Sequence, residues 1–258
     1  MRCVLLAVLA CLAIRAAPGS RCEGLPARAV ILQTERFPGW AHPHRGLILW
    51  VLAPADKPLR GRTISGEDDA SPDSEDPYTC PEQTLGHFYR APTRVSLVDT
   101  NARRVVNTVP VRLTEDDQYD IPFRIRPGYF YEVPGARKGH AGKPHILSLK
   151  DFNGDGKALE FAFYVMESCS GPLTMVMGYS QRQDRVIVYE FLLTHPEPER
   201  SGEAQSWMYR FTFDRPVAPM HWKYTDWYNS GTSVDCDFRY FPERERFEGT
   251  EAAHRGGQ

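Results

Sequence analysis

The chain has 258 residues, 31 basic and 33 acidic side chains, a net charge of −2, and 41% hydrophobic residues. Both signs are interspersed and no Lys/Arg block occurs, which argues against nucleic acid or an anionic membrane surface as partner. The length holds an ample core and is accommodated by one large domain.

The N-terminus opens Met1-Arg2, runs apolar from Cys3 to Ile14, and then meets Ala16, Ala17, Gly19 and Ser20. A cation, a short apolar core and a small-residue exit make a secretory signal peptide, read here as residues 1–17. The run is too short for the roughly 20 residues of a membrane span, and no other run approaches that length. The protein is therefore expected to be secreted or periplasmic, with no integral membrane segment. Val8-Leu9-Ala10-Cys11 resembles a bacterial lipobox, so a lipid anchor at Cys11 is the alternative.

Loss of the signal removes Cys3 and Cys11 and leaves Cys22, Cys80, Cys169 and Cys236. An even number in an oxidising compartment suggests disulfides, with three possible connectivities. Cys80 with Cys169 is the preferred pair, because these two flank the hairpin-rich centre.

Residues 18–247 read as a single all-β domain. Short segments rich in Val, Ile, Phe and Tyr recur at Ala29–Gln33, Gly46–Leu52, Arg94–Val98, Arg104–Val111, His145–Leu149 and Leu159–Met166. They continue at Thr174–Tyr179, Arg185–Leu193, Gln205–Phe213 and Asp237–Phe241, with Gly, Pro, Asn and Asp between them as turn signals. The 21 prolines and the lack of a sustained 3.6-residue period speak against helices. Residues 63–78 carry six carboxylates and two prolines, and read as an acidic, solvated loop. Three hairpins follow: residues 93–111, residues 145–165 turning at 151–156, and residues 174–193 turning at Ser180–Asp184. Residues 248–258 read as a disordered tail.

The second turn, Asp151-Phe152-Asn153-Gly154-Asp155-Gly156, carries the clearest chemical signal. Alternating oxygen-bearing side chains around two glycines suit a hard cation such as calcium, which takes six to eight oxygens. Asp151, Asn153, Asp155 and the carbonyl of Lys157 are the first donors. Glu160 is the acid on the adjoining strand, alternating with Leu159, Phe161 and Phe163 on the other face. The other reading is an Asn-Gly hairpin turn closed by Asx hydrogen bonds.

This stretch resembles the calcium loop of FG-GAP and VCBS-type repeats, which sit in hairpins of secreted β-propellers. Residues 93–111 resemble a blade hairpin of YVTN-type propellers. The resemblances imply a propeller-derived architecture and a weak, structural calcium site; a β-sandwich-like domain is the alternative.

Aromatic residues crowd the C-terminal third. Trp207, Trp222, Tyr224 and Trp227, with Asp226, form either a glycan-stacking platform or a core face, and alternation along a strand ordinarily makes a core. His42 and His44 lack a third ligand at zinc spacing, and no HExxH, GxSxG, SxxK or P-loop occurs. Glu115, Asp116, Asp117 and Asp120 lie in a polar turn and read as a solvated run. The expected function is a structural or binding module for a protein or glycan, without catalysis; a carbohydrate-binding or carbohydrate-active domain is the alternative.

Overall fold

Segments of β-branched and aromatic residues become strands where a neighbour pairs their backbone and one or both faces find a cover. The computed structural model describes residues 22–53, 55, 61–64, 86–89, 92–111, 123–125, 147–168, 171–195, 202, 204–206, 208–209, 216–227 and 232–255. Its strands in chain order are β1 (Ala29–Arg36), β2 (Arg45–Leu52), β3 (Gly61–Ile64), β4 (Gly86–Tyr89), β5 (Thr93–Asp99), β6 (Arg104–Pro110), β7 (Phe123–Ile125) and β8 (Glu160–Ser168). There follow β9 (Gly171–Ser180), β10 (Arg185–Val188), β11 (Glu190–Thr194), β12 (Ala204–Gln205), β13 (Met208–Tyr209), β14 (His221–Trp227), β15 (Thr232–Phe241) and β16 (Arg246–Arg255). No helix occurs among the described residues, so the all-β expectation stands.

A first sheet has the order β1-β2-β5-β6, all antiparallel. In a middle sheet, β9 pairs β8 along one edge and shares the other between β10 and β13. A third sheet runs β12-β11-β16-β15-β14, with β11 and β16 parallel. A small sheet is ordered β3-β4-β7.

Three of these sheets stack. Phe161, Phe163, Met175, Met177 and Tyr179 of the middle sheet pack on Leu47, Leu49, Val95 and Leu97 of the first. The opposite face presents Val176 to Phe191, Trp222, Phe238 and Phe247 of the third. Burial on both faces explains why Phe161, Ala162 and Phe163 of β8 are apolar in succession rather than in strict alternation. On the far side of the first sheet, Ile48, Trp50 and Val98 are covered by Cys22 and Leu25. That N-terminal segment is held by Glu23 N–H donating to Arg103 O (2.7 Å) and Val105 N–H to Glu23 O (2.8 Å). The far side of the third sheet is polar, with His221 and Lys223 both paired to Asp237 and His254 to Asp235. Lys223, Asp235 and His254 are exposed there, so among the described residues this charged face is a solvated surface.

Several expectations change. The hairpin over 145–165 contracts to one bridge: Lys150 N–H donates to Glu160 O (2.7 Å) and Glu160 N–H to Lys150 O (3.1 Å). The main partner of β8 is β9 instead. The run Arg185–Leu193 splits at Tyr189, so that β10 stays in the middle sheet and β11 crosses to the third. The C-terminal tail is corrected most. Residues 248–255 belong to β16, which pairs β15 on one side and β11 on the other, so the domain extends past 247. Bonds on both edges hold a segment whose own sequence is weakly strand-like. Thr63 and Ile64, read as the start of the acidic loop, end strand β3; the rest of that loop and the signal peptide lie outside the described residues. So does most of Gln205–Phe213, where Met208 is buried against the third sheet.

Candidate functional site

The loop of residues 151–160 enters from the Lys150–Glu160 bridge and lies over the join between the middle and third sheets. Phe152 anchors it in the core shared with Trp222 and Met220. Gly154 has φ +73°, and a Cβ there would stand 2.9 Å from Met220 N, so the close approach to the third sheet requires glycine. The side chains wind the turn from inside. Asp155 N–H donates to Asn153 Oδ1 (3.0 Å), Lys157 N–H to Asp155 Oδ1 (2.9 Å), and Gly156 N–H to Asp151 Oδ2 (2.9 Å). The first two are Asx-type bonds and the third spans five residues; in each a short polar side chain replaces a missing backbone partner. Each aspartate keeps its second oxygen outside those bonds. Asn153 is 1% exposed, so its amide is part of the packed interior of the turn.

Glu160 lies beneath the loop and is also 1% exposed. Register places it opposite Gly178, and a Cβ on Gly178 would stand 3.0 Å from both Glu160 Cγ and the Tyr189 ring. The missing side chain is what lets the carboxylate and the phenol meet. Phe152 N–H donates to Glu160 Oε2 (3.1 Å) and Tyr189 O–H to Oε1 (3.3 Å). Burial is the main reason the Glu160 carboxyl is pushed up to about 8, with Asp155 and then Asp151 adding like charge against its two hydrogen bonds. Burial also raises Asp155. The charges that act most on Glu160 are those of the two aspartates. The Lys157 ammonium instead donates to Gln181 Oε1 (3.1 Å).

Five calcium donors anticipated from the sequence, Asp151, Asn153, Asp155, Lys157 and Glu160, thus sit in one loop and the strand residue beneath it. Their oxygen chemistry fits calcium. Among the described residues, no three Asp, Glu, His or Cys side chains converge as a ready metal cage. Glu160 approaches the loop from a regularly paired strand; the bulge of β8 falls later, between Met166 and Ser168.

The other site residues scatter. Trp222 is 4% exposed and stacks on Phe238 with centroids 6.0 Å apart, in the core rather than on a platform. Tyr224 meets the same phenylalanine edge-on at 5.9 Å. Asp226 and Trp227 lie at the end of β14. Trp207, Cys80 and Cys169 lie outside the described residues. Cys22 lies under the first sheet and Cys236 in the core of the third, so these two do not pair with each other.

A polar clamp at the β9–β10 turn is not among the sites read from the sequence. Arg45 of β2 donates through Nε to Asp184 Oδ1 (2.9 Å) and through Nη1 to Asp99 Oδ2 (2.7 Å). Tyr179 O–H also donates to Asp184 Oδ1 (2.9 Å). From the same turn, Ser180, Arg182 and Gln183 donate to Glu245, between β15 and β16. One four-residue turn thereby ties all three stacked sheets together. Its bonds join residues as far apart in the chain as Arg45 and Asp184, 139 positions, so no local pattern signals it.

No protein-family profile, curated protein or solved structure matches this chain.

Proposed function

We propose that the protein is a secreted or periplasmic, non-catalytic binding module whose Asp151–Glu160 loop holds one calcium ion as a structural element. The observation that carries this reading is Glu160, a carboxyl group at 1% exposure beneath Asp155 and Asp151, whose like charges reinforce the effect of burial on it. A divalent ion bound by Asp151, Asn153, Asp155 and the Lys157 carbonyl would offset that accumulated charge. Binding would draw the second oxygens of the aspartates inward, while the main-chain bonds already hold the first. An incomplete shell belongs at the weak end, about 10⁻⁴ to 10⁻³ M.

The resemblance of Asp151–Gly156 to FG-GAP-type loops agrees with this reading, and the ion's role is to pin the middle sheet to the third through Phe152 and Gly154. The test is thermal unfolding in EDTA and in about 5 mM calcium, a concentration above that affinity range, with magnesium as control. Occupancy at ten times the dissociation constant adds about 1.4 kcal/mol and raises Tm by a few degrees. Asp155→Ala should abolish the shift and keep the fold. Superimposable melting curves for the wild-type protein would reduce the loop to a turn.

A further inference from the structure

We draw no further inference here: the strongest candidate, the polar cluster of Glu160, Tyr189, Tyr240, Glu245 and Ser180 buried between the middle and third sheets, is a carboxylate cluster with hydroxyl and main-chain donors already on it, and no second observation points to a ligand.

Discussion

Glu160 concentrates the energetics of the loop in a single side chain. Its carboxyl titrates at about 8 in the folded protein against an ordinary 4.5, so the folded state binds the proton more tightly than the unfolded chain. The contribution of Glu160 to stability in calcium-free buffer is therefore full below about 4.5 and is lost as pH climbs through about 8. Glu160→Gln keeps the shape and removes the charge. It should flatten that pH profile and raise the midpoint of urea unfolding at pH 8 while weakening the response to calcium. A variant that keeps the wild-type slope would show that the slope comes from elsewhere. Trp222 gives the complementary case. As a buried ring stacked on Phe238, it should cost about 3–5 kcal/mol when replaced by alanine, read by denaturant unfolding. An exposed sugar-binding ring would cost little stability.

At the scale of elements, the least conspicuous strand is β16. Its sequence, Arg246 to Arg255, has one large apolar residue, Phe247, yet it lies between β15 and β11. Gly249 is the reason it fits. A Cβ at that position would stand 2.1 Å from Asp237 O and 2.4 Å from Phe238 Cβ, both on the paired strand. Gly249→Ala has to push β15 and β16 apart, and should cost the upper part of about 1–3 kcal/mol. Alanine at Gly39, where nothing lies within 4 Å, is the matched control and should be near neutral by the same denaturant assay. The split of Arg185–Leu193 at Tyr189 belongs to this scale too. Apolar residues run on both sides of the break, Val186–Tyr189 and Phe191–Leu193, so the sequence reads as one strand. The crossing to another sheet is decided by what each half meets: Val186 joins the core against the first sheet, Phe191 that against the third.

For the whole molecule, the β9–β10 turn is the junction. Arg45 links the first sheet to the middle one through Asp184, and Glu245 links the third through Ser180. A double-mutant cycle with Arg45→Met and Asp184→Asn should return a coupling of about 0.5–3 kcal/mol, as expected for partly buried charges in one network. Additive effects would mean the pair contributes only shape. The Arg45 guanidinium, followed by the Tyr179 hydroxyl, holds Asp184 below the ordinary carboxylate value of 3.8. Its contribution is complete above that pH and is lost as pH falls through the lowered folded value, so the cycle's coupling should vanish in strong acid.

The sequence by itself determined the class: β-branched and aromatic runs, turn residues between them and the scarcity of helical periodicity are local properties. The pairing of β5 with β6 and of β9 with β10, and the wound turn at Asp151–Gly156, were legible for the same reason, since each closes over a few residues. Tertiary structure alone decided the rest. Burial of Glu160 depends on Gly178 and Tyr189, and the place of Trp222 on Phe238 and Phe247. Strand β16 depends on two distant neighbours, and the clamp on residues as far apart as Arg45 and Asp184. Local pattern records what a segment prefers; which face is covered, and by what, is fixed only when remote segments share one core.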